Sequence, residues 1–316
     1  MKIVVIGGSG HIGTYLVPRL VEGGHQVVNV SRSQRQPYQP HAAWNEVQQV
    51  VLDRTLEEEA GSFGEKIAAL KPDIVIDLIC FKLSSAQMMV EALRGKVQHF
   101  LHCGTIWVHG PTIQAPTRED CPRAPFGSYG IQKAEIEAYL LREARLEGFP
   151  ATILHPGHIV GPGWIPLNPQ GNFNPVIYAR LMRGEEITLP NLGMETVHHV
   201  HADDVAQSFI QAIANWSTAA GESFHVVSSQ AVTLRGYAQQ VASWFGHEAH
   251  IRYMPWEEWK TTVDEKDARA TWDHIAHSPN CSIEKARRLI DYQPRYTSFQ
   301  AVREALTWLI DNRKLE

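Results

Sequence analysis

Tyr129 and Lys133 stand four residues apart in a stretch, 128–147, whose pattern predicts a helix. Residues at that spacing share a helix face. An ammonium one turn from a phenol favours the phenolate and lowers its pKa from the ordinary value of about 10. Such a tyrosine can take the proton from a hydroxyl while the adjoining carbon gives up hydride. That reaction also needs a second hydroxyl on the substrate oxygen and a cofactor held against the C–H bond.

The elements that would hold a cofactor stand at the start of the chain. Lys2–Ile6 is a short apolar run that reads as a buried parallel strand. Gly7, Gly8, Gly10 and Gly13 follow, with His11 and Ile12 between the last two, and 11–22 is patterned as a helix. Strand, glycine turn and helix in that order make a dinucleotide site, where backbone N–H groups meet a pyrophosphate. Further strands are predicted at 26–30, 47–52, 73–79, 97–103 and 150–155, with helices at 56–70, 83–94 and 128–147 between them. This alternation predicts an α/β fold of the Rossmann type, a doubly wound parallel sheet. The dinucleotide-binding domain is placed at 1–155 with return segments near 196–227. A smaller C-terminal α/β substrate domain, mostly 156–316, begins with the Pro- and Gly-rich stretch from Pro156 to Gly171 and ends in a helix over 299–312.

Composition bounds the function. The 316 residues are 44% hydrophobic and 20% charged, as in a soluble globular enzyme, and the net charge of −5 gives no reason to expect a nucleic-acid partner. No apolar run is long enough for a membrane helix, so a cytoplasmic location is expected. Cys80, Cys103, Cys121 and Cys281 form no C-x-x-C pair and read as reduced thiols. His198, His199 and His201 fall on a predicted strand whose side chains alternate, and no metal site is expected.

In order along the chain, the glycine turn, Val51-Leu52-Asp53-Arg54, 72–79, 100–110, Tyr129-x-x-x-Lys133, Leu154-His155-Pro156, 200–206 and 285–294 resemble the extended short-chain dehydrogenase/reductases of the NAD-dependent epimerase/dehydratase group. The resemblance implies a catalytic set of Thr105, Tyr129 and Lys133, with Thr105 on the substrate oxygen. It implies cofactor contacts from Gly7, Gly10, His11, Ile12, Gly13, Ser31, Arg32, Asp53, Arg54, Ile79, Tyr129, Lys133 and His155. The second strand ends in Ser31-Arg32-Ser33 without a carboxylate for the ribose, and an arginine there suits a 2′-phosphate. NADP is therefore favoured, with NAD as the alternative.

The resemblance further implies a small-molecule sugar or carbonyl substrate and a homodimer. Trp107, His109, His158, Trp164 and Asn174 are the candidate substrate contacts. Val197, His155 and His109 replace residues usual in nucleotide-sugar enzymes, and Ile106-Trp107 replaces the acidic pair of the dehydratases. A sugar epimerase-type oxidoreductase follows as the first reading. An NADP-dependent reductase or dehydrogenase of a carbonyl or non-nucleotide sugar is the alternative. A non-catalytic NADP-binding or RNA-associated protein ranks behind both, because such sensors generally lose the tyrosine.

Overall fold

A computed structural model of the chain describes residues 1–33 and 36–315. Its centre is a seven-stranded sheet, all parallel. Six strands come from the first half: β1 (Lys2–Ile6), β2 (Gln26–Ser31), β3 (Gln48–Val51), β4 (Ile74–Asp77), β5 (His99–Cys103) and β6 (Ala151–Pro156). The seventh, Ser223–Val226, adds itself outside β6, so the order is 223–226, β6, β5, β4, β1, β2, β3. β1 pairs with both β2 and β4. The winding direction reverses there, and a crevice opens at the strand C-termini.

The sheet lies between helices because its strands are apolar on both faces. In β1, Ile3 and Val5 face one core with the helices His11–Glu22 and Ala202–Ala214. Val4 and Ile6 face the other, with Phe63–Ala69, Leu83–Leu93 and Gly127–Glu147. A third core lies away from the sheet, built from Val160, Tyr178, Leu189, Tyr237, Val302 and neighbours. The later half of the chain feeds more than one core, since Cys281, Ile283, Ala286, Ile290 and Tyr292 return to the core that Ile3 and Val5 face.

One predicted helix is corrected. The stretch 56–70 forms two helices, Arg54–Glu59 and Phe63–Ala69, because the Ser62 N–H turns back to the Glu57 carbonyl and closes the first. Among the described residues no helix is long and apolar enough to cross a membrane, and no three His, Cys, Asp or Glu side chains are grouped to hold a metal ion.

Candidate active site

The glycine turn sits at the crevice. Gly7 N–H donates to the Val30 carbonyl (2.8 Å) and Gly8 N–H to Asn29 Oδ1 (2.9 Å), tying the turn to β2. A Cβ at Gly13 would overlap the Gly8 carbonyl, so only glycine lets the helix start so close to the turn. The helix opens at His11 and Ile12 with Gly10 as N-cap and no side-chain cap, leaving its first N–H groups for an anion. These residues fit a dinucleotide pyrophosphate.

Arg32 lies past the end of β2 and lines a cavity of about 460 Å³ with Arg54, Ile79, Phe81 and Ser85. Ser31 Oγ donates to the Ser33 carbonyl (2.6 Å). Arg54 is held by protein partners: NH1 meets Asp77 Oδ1 at 2.8 Å and Nε meets Glu58 Oε1 at 2.6 Å. Asp53, expected among the cofactor contacts, uses its carboxylate as a helix cap, accepting from Thr55 N (2.9 Å) and Leu56 N (3.3 Å). Of the ribose and adenine candidates, Arg32 keeps its cation most available.

Thr105, Tyr129 and Lys133 meet at the C-terminal end of β5. Thr105 caps the short helical turn Ile106–His109, its hydroxyl accepting from Trp107 N at 3.3 Å. Tyr129 and Lys133 occupy the first turns of Gly127–Glu147. Lys133 is buried, and its Nζ donates to the carbonyls of Cys80 (2.8 Å) and Cys103 (2.6 Å). Tyr129 is 42% exposed. Desolvation pushes its phenol up to about 12, the Cys103 thiol adding to the rise and the Thr105 hydroxyl opposing it. The expected lowering by Lys133 is thus corrected: its ammonium lies 6.0 Å from the Tyr129 ring centre and is committed to two carbonyls. Burial lowers the Lys133 pKa in turn, opposed by Cys103, Cys80 and Asp77.

His109 and His155 are placed differently from the sequence expectation. Both lie behind the turn, with every ring nitrogen bonded within the protein. His155 Nδ1 accepts from Thr105 N (3.0 Å), and its Nε2 faces Glu137 Oε1 (2.9 Å). A Cβ at Gly104 would run into His155 Nδ1, so glycine is required for that approach. Arg123 forks onto Glu137 at 2.8 and 2.7 Å and reaches His109 Nδ1 at 3.2 Å. His109 Nε2 meets His225 Nε2 at 2.7 Å, and His225 Nδ1 donates to the Ser282 carbonyl at 3.1 Å. Burial would raise the Glu137 pKa, but His155 and Arg123 together hold it well below the usual carboxylate range. His155 and His109, expected at the cofactor and the substrate, instead direct every ring nitrogen to groups of the protein.

The wall beside Tyr129 is aromatic. Trp107 has Tyr129 at 5.9 Å, His158 at 6.0 Å, His274 at 5.1 Å and the parallel ring of His277 at 4.2 Å. Phe126 covers the other side of His277. Burial lowers the pKa of His158, His274 and His277, with His274 brought to about 4, so this wall is uncharged near neutral pH. Trp164 stands apart from it, stacked on His11 of the glycine turn. Asn174 lies on a separate cavity of about 630 Å³, its amide donating to Asp267 at 2.8 Å. The sequence reading missed Glu137, Arg123, His225, His274 and His277. Only Glu137 carried a local signal, standing four residues after Lys133 on the same helix face.

A family model described as the NAD dependent epimerase/dehydratase family matches residues 3–226. The 2′-dehydrokanamycin reductase of Streptomyces kanamyceticus is 27% identical over 279 residues, 87% of this chain and 76% of that protein. The chloroplast stem-loop binding protein of 41 kDa b of Arabidopsis thaliana is 24% identical over 306 residues, 93% of this chain and 75% of that protein. A UDP-glucose 4-epimerase from Thermotoga maritima, solved with UDP-glucose, matches with a TM-score of 0.75 at 20% identity, over 99% of this chain and 100% of that one. At that identity the structural likeness speaks for the fold.

Proposed function

The chain belongs to the NAD dependent epimerase/dehydratase family, and on that premise we propose that it is an NAD(P)-dependent oxidoreductase of epimerase type, acting at a hydroxyl-bearing sugar carbon. The observation that carries the reading is the convergence of Thr105, Tyr129 and Lys133 at the crevice beside the glycine turn. A bound nicotinamide dinucleotide would accept hydride from the alcohol carbon and return it. Gly10, His11, Ile12 and Arg32 would hold it.

The rest belongs to the protein's own groups. Tyr129 would exchange the proton with the substrate oxygen: its neutral phenol donates when the carbonyl is reduced, and the phenolate left behind takes a proton when the carbonyl forms. Thr105 supports the phenol and the substrate oxygen, and Lys133 fixes the floor through two carbonyls. Ile106 and Trp107 beside Thr105 supply no acid for dehydration. The uncharged wall around Trp107 suits a neutral, hydroxylated ring better than a phosphate.

A second reading, an NADP-dependent reductase of a carbonyl or non-nucleotide sugar, is favoured by Arg32 at the ribose end. The intact tyrosine–lysine pair supports either catalytic reading over RNA association. A cytoplasmic homodimer belongs to the same proposal on the strength of the resemblance. The deciding experiment is to denature purified protein and identify the released nucleotide. Near-stoichiometric NAD⁺ supports internal recycling and epimerisation. Empty protein that binds NADPH far more tightly than NADH supports the reductase, and protein that binds neither overturns both.

A further inference from the structure

We propose that Glu137 is a positioning residue of the hydride-transfer site, its one carboxylate stapling both ends of the active-site turn to the helix that carries Tyr129 and Lys133. The role in catalysis rests on the function proposed above; the stapling rests on geometry alone.

Tyr129, Lys133 and Glu137 occupy successive turns of one helix face. The first two reach the reacting end, and the third reaches the back of the turn that holds Thr105. Toward the start of that turn, Glu137 Oε1 meets His155 Nε2 at 2.9 Å, and His155 Nδ1 receives the Thr105 N–H at 3.0 Å. Toward its end, Arg123 bridges Glu137 to His109. Thr105 and His109 bound the turn, so both of its ends are referred to the same two oxygens.

The proton positions along this chain are dictated by its two termini. A backbone N–H only donates, so His155 Nδ1 is the acceptor and Nε2–H donates to Glu137. At the other end the Ser282 carbonyl only accepts, so His225 carries its proton on Nδ1 and accepts at Nε2. His109 must then donate from Nε2, leaving Nδ1 to accept from Arg123, as its placement at 3.2 Å allows. Every donor finds an acceptor with all three imidazoles neutral and Glu137 ionised. Removing that charge leaves the Arg123 fork unmatched and loosens the His109 end first.

Glu137 is 3% exposed, and its oxygens are engaged by His155 and Arg123, so it is no proton carrier to the substrate. Its effect passes through Thr105. Tyr129 is faced by Cys103 from β5, Lys133 from its own helix and Thr105 from the turn, and of these Thr105 is the group that opposes the rise in its pKa. A displaced turn therefore shows up at the phenol. A purely structural core ion pair would cost stability and leave the phenol unchanged.

The test compares Glu137→Gln and Arg123→Lys with the unaltered chain. Melting curves confirm folding; should the buried glutamine variant fail to fold, the lysine variant, at a 24% exposed side chain, carries the comparison. Nicotinamide nucleotide affinity should stay within about twofold. At fixed pH the Tyr129 ¹³Cζ resonance, assigned with Tyr129→Phe, should shift as the turn that holds Thr105 moves. Single-turnover hydride transfer should slow roughly 10- to 100-fold, the scale of a misplacement near 1 Å. In the unaltered chain, ¹⁵N spectra should show His155 protonated at Nε2. Folded variants with an unmoved Tyr129 resonance and rate, or His155 protonated at Nδ1, would overturn the proposal. Full hydride transfer by Tyr129→Phe would instead overturn the proposed function, while the Tyr129 resonance and the His155 tautomer would still decide the stapling.

Discussion

The indole of Trp164 lies parallel to the imidazole of His11, with ring centres 3.6 Å apart and planes 6° from each other. Tyr38 closes a third side, 4.5 Å from His11 and 5.0 Å from Trp164. A loop from the later half of the chain is thus laid across the phosphate-binding turn, where it would hinder a dinucleotide from leaving. Trp164→Ala should speed nucleotide dissociation roughly 2- to 12-fold, the equivalent of an aromatic pair worth about 0.5–1.5 kcal/mol. Stopped-flow displacement measures this, and an unchanged off-rate would mean that the stack is packing and not a closure.

Tyr129→Phe should reduce turnover by roughly 10²- to 10⁴-fold, the usual contribution of a positioned acid–base group. Nucleotide affinity should hardly move. Thr105→Ala removes both an opposing influence on the phenol and the cap of the Ile106–His109 turn, and should cost roughly 10²-fold in turnover. Steady-state rates with a substrate identified by screening sugars against both nucleotides check the pair. Comparable activity in either variant would move the chemistry elsewhere.

How much of this was legible beforehand follows the range of the interactions involved. The strand Lys2–Ile6 and helix His11–Glu22 were readable to their ends, because an apolar run and glycine punctuation are local signals. That Thr105, Tyr129 and Lys133 come together was expected from spacing and family resemblance. The Glu137 network was not, since Arg123 precedes it by 14 residues, His155 follows by 18, and His109 meets His225 across 116. His155 was placed at the cofactor by the family resemblance, but the alternation of β6, in which it lies, turns its ring toward the catalytic turn instead.

Arg32 should decide between the two nucleotides. It lines the cavity at the end of β2, while Arg54 beside it is paired with Asp77 and Glu58. Arg32→Ala should weaken NADPH binding by roughly 10- to 100-fold, as expected for a lost charged hydrogen bond of about 1.5–3 kcal/mol, and leave NADH nearly unaffected. Titration calorimetry with both nucleotides measures the ratio. Equal losses for both would place the guanidinium on the adenine or shared ribose.

Acid should destabilise the fold by forcing charge onto its buried histidines. Burial lowers the histidine pKa to about 4 at His99, His198 and His274, and to about 3 at His109 and His199, with the Arg123 cation adding to the effect at His109. In the unfolded chain each returns to about 6.5. Between these values the unfolded state binds more protons, so stability is full above pH of about 6.5 and falls as the pH drops. Each such group contributes a slope of up to about 1.4 kcal/mol per pH unit. Glu137 acts lower on the scale: its depressed pKa gives stability that is present above a pH of about 4.5 and lost as the pH falls toward its folded value. The melting temperature should accordingly hold from pH 8 to 7 and decline steeply from pH 6.5 to 5. His198→Gln should flatten the decline by about one histidine's share even if it lowers the plateau. A melting temperature that stays level down to pH 5 would mean that these imidazoles reach water, or gain partners, in the folded chain.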